Sequence, residues 1–214
     1  MIKIVIFDFD GTLADTFDLI FAITNDLSVE FGYKQAKKEE IPEIEKLSPL
    51  QVITQSGISI FKLPFLLRRI RAEFQKKINN VRLFSGIKEI LFALKQQGYQ
   101  LGIITSNSQK NVEFVLQKYD LLIFDFIISA PTLFGKDKVI KQYLKTENIQ
   151  PEEIVYIGDE VRDISASKKA KVKVIAVTWG FNSREVLSDY QPDALVDRPQ
   201  ELVEVINNFS ALLN

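Results

Sequence analysis

The chain has 214 residues, of which 46% are apolar and 26% charged, and its formal net charge is −1. This length suits one domain of ordinary size, or a core domain with a small insert. The sequence contains neither cysteine nor histidine, which excludes disulfides, thiolate nucleophiles, serine–histidine–aspartate triads and zinc sites built on cysteine. Any bound metal would have oxygen ligands, which favours a hard cation such as Mg²⁺.

The sequence shows no sign of a nucleic-acid or membrane partner. Positive and negative residues nearly balance, so no basic excess points to an anionic surface. The N-terminus lacks the basic region, long apolar stretch and cleavage site of a signal peptide, and no uncharged apolar stretch approaches membrane-spanning length. We therefore expect a cytoplasmic monomer or homodimer with neither nucleic acid nor membrane as a partner.

The first predicted element is an apolar strand over residues 2–7, and a long helical stretch follows it. From about residue 15 to residue 84 the apolar residues recur with a helical period and form no convincing strand. Helices are predicted in this stretch at residues 17–31, 50–55, 59–63 and 66–77, and residues 37–46 are predicted as a charged helix or a linker. A helical block between a first strand and the rest of a sheet predicts an inserted domain. The proposed boundaries give a helical cap of residues 15–84 and a core of residues 1–14 and 85–214.

Strands and helices alternate over the remainder of the chain. Apolar, β-branched runs predict strands at residues 100–105, 124–129, 154–157, 173–177 and 194–196. Between and after them, helices are predicted at residues 87–97, 108–119, 136–148, 164–170 and 199–213. This alternation predicts an α/β fold with a Rossmann-like, doubly wound parallel sheet, in which helices cover both faces.

Two aspartates follow the first strand, in the sequence IFDFDGT. Side chains alternate along a strand, so Asp8 and Asp10 start on the same side. Gly11 allows a sharp turn, and Thr12 brings a hydroxyl and an amide to the same place. Ligands bind at the carboxyl edge of open α/β sheets, where this stretch ends. Two aspartates there are also typical of a strand end that caps a turn, so this motif alone decides nothing.

A second acidic pair, Asp159 and Asp163, follows the strand at residues 154–157. The two are one helical turn apart and share a face if a helix begins there. Acidic residues also favour helix N-termini for purely structural reasons. In a parallel sheet, however, Asp8, Asp10, Asp159 and Asp163 would converge at one edge, and ionised carboxylates crowd together only around a cation. The sequence therefore predicts a Mg²⁺ site formed by these four aspartates.

Two further segments add candidate phosphate-binding groups. Ser106 and Asn107 follow the strand at residues 100–105, just before a helix N-terminus, where hydroxyl, amide and backbone N–H groups can bind an anion. Lys136 and Lys138 lie at the start of another helix, where the helix dipole opposes a cation. A lysine that reaches the site could neutralise both a nucleophilic carboxylate and a phosphoryl oxygen. An N-cap cluster and solvated surface lysines are the structural alternatives.

The four segments DFDGT, TSN, GKDK and GDEVRD resemble, in order, the four motifs of the haloacid dehalogenase superfamily. The resemblance covers the whole chain, because the helical insert lies where the C1 caps of that superfamily lie, and it is strongest to the phosphoglycolate phosphatase-like branch. The usual Lys-Pro of the third motif is replaced by GKDK. Lys136 is therefore the expected motif lysine, with Lys138 as the alternative.

The resemblance also implies a role for each motif residue. Asp8 would be the nucleophile that accepts a phosphoryl group, and Asp10 the general acid and base. Ser106, with Asn107 beside it, would hold phosphoryl oxygens, and Gly11 and Thr12 belong to the same expected phosphate-binding set. Mg²⁺ would be bound by Asp8, by the backbone carbonyl of Asp10 and by Asp159. Asp163 would support the metal through water.

Three functions are compatible with these motifs. A Mg²⁺-dependent phosphatase acting on a small phosphorylated metabolite, with phosphoglycolate as the candidate by analogy, is the prediction. A sugar phosphomutase shares all four motifs. A non-catalytic phospho-receiver or binding module could also use an acidic pocket and a lysine, but an acid two residues after its phosphate-accepting aspartate would be unusual. An aspartate at position 10 likewise favours phosphoryl transfer over dehalogenation.

Two features of the cap bear on the substrate. The phenylalanines of this segment predict a hydrophobic core of its own: Phe17, Phe21, Phe31, Phe61, Phe65 and Phe74. The basic run Arg68, Arg69 and Arg71 could reach a substrate carboxylate, but a solvated helix face is the preferred interpretation.

Overall fold

The computed structural model describes residues 1–130 and 135–211. Its strands, in chain order, are β1 (Ile4–Phe7), β2 (Ala14–Asp15), β3 (Arg82–Leu83), β4 (Gln100–Thr105), β5 (Phe126–Ser129), β6 (Ile154–Gly158), β7 (Lys173–Val177) and β8 (Ala194–Val196). Its helices are α1 (Phe17–Phe31), α2 (Ile41–Ile44), α3 (Pro49–Ser56), α4 (Leu63–Lys77), α5 (Ile87–Gln96), α6 (Gln109–Lys118), α7 (Lys136–Glu147), α8 (Val161–Ala170), α9 (Arg184–Asp189) and α10 (Leu202–Ala211).

Six of the strands form one sheet in the order β5-β4-β1-β6-β7-β8, and all neighbouring strands are parallel. The side chains of β1 show why both faces need helices. Val5 and Phe7 belong to a core that includes residues of α5, α6 and α10, whereas Ile4 and Ile6 belong to a second core with α7 and α8. Because successive side chains of the strand point to opposite faces of the sheet, β1 contributes to two hydrophobic layers. The predicted doubly wound α/β fold is confirmed.

The helical segment between β2 and β3 leaves and rejoins the rest of the chain at one place. Strands β2 and β3 pair with each other in antiparallel fashion, with Ala14 opposite Leu83 and Asp15 opposite Arg82. The helices α1 to α4, which we call the cap helices, lie between these strands in sequence. The proposed division into a cap of residues 15–84 and a core of the remainder has its boundaries at this strand pair.

Several predicted elements differ from the observed ones in length. The strand at β1 begins at Ile4 rather than at residue 2, and β5 begins at Phe126 rather than at residue 124. Residues 37–46 form a 3₁₀ turn and the four-residue α2 instead of one helix. The segment predicted at residues 59–63 is mostly a 3₁₀ turn, Ile60–Lys62, which leads directly into α4. Helix α4 begins at Leu63 rather than at residue 66, because Pro64 lies in its first turn, where no N–H is needed.

Other differences lie in the second half of the chain. Helix α8 begins at Val161, earlier than the predicted start at residue 164, and α9 was not predicted. The last helical stretch opens with a 3₁₀ turn, Pro199–Glu201, before α10. Residues 212 and 213 of the predicted final helix lie outside the described residues.

The prediction that all six cap phenylalanines form a core is partly wrong. Phe31 and Phe74 are buried, but Phe17 and Phe21 are only half-buried, and Phe61 and Phe65 are 85% and 62% exposed. Phe65 is exposed because the inward face of α4 carries Leu63, Leu66 and Phe74, which recur at helical spacing and point away from it.

Among the described residues, no single helix combines the length and apolarity needed to cross a membrane. One bent pair, Pro49–Ser56 with Ile60–Asn80 at 114°, meets the criterion by length and composition when the two are taken together.

Candidate active site

The predicted site residues follow three adjacent strands of the sheet. Asp8 follows β1, Ser106 follows β4 and Asp159 follows β6. Strand β1 lies between the other two, with Phe7 opposite both Ile103 of β4 and Ile157 of β6. After β1 the chain first builds one side of the sheet and then the other, and the crevice at such a reversal is the usual ligand site of this architecture.

Asp8 and Lys136 form a buried ion pair at this edge. The Asp8 side chain is 1% exposed, and its Oδ1 accepts a hydrogen bond from Phe9 N at 2.7 Å. Lys136 Nζ donates to Asp8 Oδ2 at 2.6 Å and to Asp163 Oδ1 at 2.5 Å. Burial by itself would lower the pKa of Lys136, but the carboxylates of Asp163 and Asp8 raise it well above its usual value. Lys136 is therefore a permanent cation at Asp8, whereas Lys138 is exposed to solvent.

Asp10 has Asn107 as a hydrogen-bond partner, whereas Asp8 has Lys136. Asp10 is half-buried, and Asn107 Nδ2 donates to its Oδ2 at 3.0 Å and to its Oδ1 at 3.3 Å. Burial, and then the negative charge of Asp8, raise the pKa of Asp10 to about 7, although the hydrogen bond from Asn107 acts in the opposite direction. A carboxyl group with such a pKa can both give and take a proton near neutral pH.

Asp159 is held by the turn that follows β1. Its side chain is fully buried, and Thr12 Oγ1 donates to its Oδ1 at 2.7 Å while Phe181 N donates to its Oδ2 at 2.8 Å. Burial, and then the charges of Glu160 and Asp8, raise the pKa of Asp159 well above its usual value. The Thr12 hydroxyl is thus hydrogen-bonded to Asp159. The Gly11 N–H is also used within the protein, since it donates to the Ala14 carbonyl at 2.9 Å.

Among the described residues, Asp8, Glu160 and Asp163 form an acidic group that could hold a metal ion. One oxygen of each lies within 4.8 Å of the others. Burial raises the pKa of Asp163 to about 6, and the nearby Asp8 charge adds to this while Lys136 counteracts it. A cation among these oxygens would relieve the crowding, and an all-oxygen donor set fits Mg²⁺. Glu160 was not predicted as a site residue, although it stands inside the GDEVRD motif.

Two arginines, one from α4 and one from α8, form hydrogen bonds with Ser106. Arg71 of α4 donates from Nε and Nη2 to the Ser106 carbonyl oxygen, at 3.0 and 2.6 Å. Arg162 of α8 pairs with Glu160, and its Nη2 lies 3.4 Å from Ser106 Oγ. The interpretation of the basic run as a solvated face is therefore wrong for Arg71, while Arg68 is exposed. Arg71 and Arg68 differ because they lie at different angles around α4, and only one side of this helix contacts the β4–α6 loop.

Asn107 is 5% exposed and organises the loop between β4 and α6. Besides donating to Asp10, it accepts at Oδ1 from Ser108 N at 2.8 Å and from Asn111 Nδ2 at 3.0 Å. Its backbone N–H donates to Thr105 Oγ1 at 3.0 Å. These bonds fix the Asn107 amide toward Asp10, so the structure gives it a positioning role.

The loop after β7 completes the site and was missed by sequence reasoning. Phe181 N bonds Asp159, and Asn182 Oδ1 accepts from Val161 N at 3.0 Å. Asn182 Nδ2 also donates to the carbonyls of Glu45 and Leu47, each at 2.9 Å, and so links the core to the cap helices. The available signal was the Gly-Phe-Asn sequence soon after an apolar strand, the same kind of strand end as at Asp8 and Asp159.

A cavity of about 320 Å³ opens onto this site from the cap helices. Asp10, Ser106 and Arg162 line its core end, and most of the remaining wall comes from α1, α3, α4 and the segments that connect the cap helices. Its volume is at the lower end of the ~300–1,000 Å³ found for small-molecule sites. The arrangement places a group able to transfer protons, two arginines and a cavity beside one another.

Comparison with known proteins identifies the family. Residues 5–177 match the family model described as haloacid dehalogenase-like hydrolase. The chain is 32% identical over 203 residues to a phosphoglycolate phosphatase of Synechococcus elongatus, covering 94% of this chain and 96% of the relative. It is 28% identical over 215 residues to the pyrophosphatase PpaX of Bacillus cereus, covering 98% of each.

Solved structures agree with the sequence relatives. A haloacid dehalogenase-like family hydrolase from Streptococcus pneumoniae superposes with a TM-score of 0.78 at 27% identity, covering 96% of this chain and 98% of the other. The fold, the site at the carboxyl edge and these matches lead to one conclusion: the chain belongs to the haloacid dehalogenase-like hydrolase family, as a hydrolase of the phosphatase type.

Proposed function

We propose that the protein is a Mg²⁺-dependent phosphatase that hydrolyses a small phosphate monoester through an aspartyl-phosphate on Asp8. The observation that carries this proposal is the position of Asp8, whose buried carboxylate is paired with Lys136 while Asp10, with a pKa of about 7, lies nearby. A nucleophile, a cation and a proton donor are the three groups that transfer of a phosphoryl group to a carboxylate requires.

In the first half of the reaction, an Asp8 oxygen attacks phosphorus and the bond to the leaving alkoxide breaks. Protonated Asp10 gives its proton to that oxygen, so the substrate departs as an alcohol. In the second half, ionised Asp10 takes a proton from water as the water oxygen attacks phosphorus. The Asp8 carboxylate is regenerated and inorganic phosphate leaves, which restores the starting state.

Positive charge at the strand edge reduces the repulsion between Asp8 and an anionic substrate. Lys136, held at Asp8 by its ion pair, is proposed to contact a phosphoryl oxygen, together with the Ser106 hydroxyl and the N–H groups at the start of α6. Asn107, Gly11 and Thr12 are proposed to contribute by holding Asp10 and Asp159 in place.

Mg²⁺ is proposed to bind among the carboxylates that face Asp8. Asp8, Glu160 and Asp163 offer oxygens close together, and Asp159, with the Asp10 carbonyl, belongs to the same proposed set. When bound, the cation would neutralise negative charge on the phosphoryl group. The crowding of buried carboxylates is what supports this proposal.

Among phosphate monoesters, phosphoglycolate is the candidate by analogy, since one relative is named a phosphoglycolate phosphatase. Pyrophosphate, a phosphoanhydride, is a second compound to assay because another relative is named a pyrophosphatase. The phosphomutase and phospho-receiver alternatives differ in what they release. A mutase would convert glucose 1-phosphate without forming inorganic phosphate, and a receiver would keep the phosphoryl group on Asp8 without turnover.

The decisive variant is Asp8→Asn, assayed with p-nitrophenyl phosphate and Mg²⁺. Loss of the nucleophile should lower kcat by about 10⁴-fold or more. Asp189→Asn, an exposed aspartate of α9, is the matched control and should keep wild-type activity. Near-normal turnover by Asp8→Asn would overturn the mechanism, and a stable phosphorylated protein without turnover would favour the receiver.

A further inference from the structure

The cavity between the cap helices and the strand edge has an unusual wall. Phe17, Phe21, Ile53 and Ile70 line it, and all four are half-buried. Apolar side chains on the inner faces of helices normally pack against each other and become fully buried. Here they border an open volume of about 320 Å³, so their apolar area is available to a ligand.

The polar groups in the cap part of the wall already bond to other protein groups. Asn25 exchanges hydrogen bonds with the backbone of Ala36, at 2.7 and 3.0 Å. The Tyr33 hydroxyl donates to the Thr24 carbonyl, and the Thr24 hydroxyl donates to the Ile20 carbonyl at 2.9 Å. These side chains therefore present mainly carbon to the cavity.

Most of the charged side chains lie at the core end. The exception is Lys34, which lines the cap part of the wall and donates from Nζ to Glu40 Oε1 at 3.1 Å. Asp10, Glu160, Arg71 and Arg162 line the cavity beside Ser106. Arg162 Nη1 is buried and has no hydrogen-bond partner among the described residues. A ligand with a phosphate at one end and an apolar body at the other would match this polarity, because an unpaired ionic group costs several kcal/mol against an apolar wall.

We propose that the leaving group of the physiological substrate is an apolar alcohol, aliphatic or aromatic, which fills this cavity while its phosphate lies at Asp8. This inference rests on the proposed phosphatase function and names its substrate class. It sets this chain apart from its named relatives: phosphoglycolate and pyrophosphate would place an anionic group, rather than carbon, toward the cap helices.

The test compares ethyl, butyl and hexyl phosphate with 2-phosphoglycolate and pyrophosphate under identical Mg²⁺ conditions. Each buried methylene is worth about fourfold in binding. We expect kcat/KM to rise at least about tenfold from ethyl to hexyl phosphate, and hexyl phosphate to exceed both anionic compounds. A flat or falling series, or a preference for phosphoglycolate, would overturn the inference and leave the phosphatase function intact.

Variants of α3 test whether the cavity causes the preference for hexyl over ethyl phosphate. Ile53→Asn places an amide in the wall and should remove most of the hexyl-to-ethyl preference. Leu50→Asn, on the same helix but 51% exposed and outside the wall, should keep that preference. Val52→Phe fills the cavity without adding polarity, so it should reduce the preference while the protein remains folded by circular dichroism. Equal preference in all three variants would contradict the proposal.

Binding of alkylphosphonates separates this inference from the proposed function. These compounds cannot be hydrolysed at the P–C bond, so calorimetry measures the cavity without turnover. Hexylphosphonate should bind at least about tenfold more tightly than ethylphosphonate, even if no monoester is hydrolysed. Equal affinities would overturn the inference, whereas tighter hexylphosphonate binding with no hydrolysis would overturn the phosphatase function alone.

Discussion

Gly11 illustrates how closely the residues around Asp159 are packed. Its φ of +77° is a left-handed conformation, and a Cβ at this position would lie 2.1 Å from Asp159 Oδ2 and 2.4 Å from a Phe181 ring carbon. Gly180 is crowded in the same way, since a Cβ there would lie 2.3 Å from Asp159. Glycine is therefore needed at both positions for space, and at Gly11 for backbone conformation as well.

Gly11→Ala should accordingly be much more harmful than Gly57→Ala. Gly57 has nearly the same φ, +75°, but a Cβ there would meet nothing within 4 Å, so it isolates the backbone cost. We expect Gly57→Ala to cost about 1–2 kcal/mol and Gly11→Ala about 1–3 kcal/mol more, with loss of activity. Urea unfolding of both variants measures the difference. Equal costs would show that the Asp159 contact relaxes freely.

Asp10 should matter most for substrates whose leaving group needs a proton. In Asp10→Asn the acid is lost, so kcat/KM for ethyl phosphate should fall by about 10²–10⁴-fold. For p-nitrophenyl phosphate the fall in kcat/KM should be distinctly smaller, because p-nitrophenolate leaves without protonation. The two substrates, compared in the same variant, control for folding and metal binding. An equal loss for both would contradict the role of Asp10 as an acid.

At the scale of elements, α4 is joined to the core through Arg71. The two hydrogen bonds from its guanidinium to the Ser106 carbonyl connect a cap helix to the loop that positions Asn107 and hence Asp10. Asn182 makes a second connection of this kind, from the β7–α9 loop to the carbonyls of Glu45 and Leu47. The cap helices are thus fixed relative to both sides of the proposed site.

Arg71→Ala should lower kcat/KM by roughly tenfold, since a charge-assisted hydrogen bond is worth about 1.5–3 kcal/mol. Arg68→Ala, three residues earlier on the same helix but exposed, should leave kcat/KM unchanged. Steady-state kinetics of both variants with one aryl phosphate provides the comparison. If Arg71→Ala behaves like Arg68→Ala, the connection has no part in the reaction.

Sequence reasoning succeeded where a residue's place follows from the end of a strand. Asp8, Ser106 and Asp159 each come immediately after an apolar run, and parallel pairing brings such ends together. It failed where a residue's position depends on which side of a helix faces the site, or on a loop that reaches the site from a distant strand. Arg71 was grouped with its exposed neighbour Arg68, and the backbone of Phe181 reaches Asp159 from a strand two positions away from β1.

The cap phenylalanines show a further limit of sequence patterns. Phe17, Phe31 and Phe65 are the same residue type in the same helical segment of the sequence. In the structure, however, Phe17 lines the cavity, Phe31 is buried and Phe65 is exposed. A hydrophobic period shows that a helix has an apolar face, but the space that this face borders depends on how distant elements are arranged. Whether a cap contains a core or a cavity is therefore not decided by the periodicity.

At the scale of the whole molecule, the crowded carboxylates predict that Mg²⁺ stabilises the fold. A cation that binds only the folded state raises its stability by RT ln(1 + [L]/Kd), which is about 2.7 kcal/mol at a hundred times Kd. For a chain of this size each kcal/mol corresponds to about 2–4 °C in Tm. Mg²⁺ at 10 mM should therefore raise Tm by several degrees relative to NaCl of equal ionic strength.

Glu160→Gln and Glu204→Gln provide the test of where Mg²⁺ acts. Glu160 belongs to the oxygen cluster with Asp8 and Asp163, so removing its charge should reduce the Mg²⁺-dependent rise in Tm. Glu204 of α10 lies outside that cluster, and its substitution should preserve the rise. Differential scanning calorimetry with and without EDTA measures both. A rise that is the same in both variants would place the stabilising ion elsewhere.

The position of β1 in the sheet has a consequence for biosynthesis. Strand β1 leaves the ribosome before both of its partners, because it pairs with β4 beginning at Gln100 and with β6 beginning at Ile154. At about 5–20 residues per second, the apolar β1 waits roughly seven to thirty seconds for its second partner. During that interval the nascent chain can complete the cap helices, whose contacts are local, but not the central sheet. The central sheet can therefore close only after β6 has been synthesised, and until then one edge of the apolar β1 has no strand to pair with.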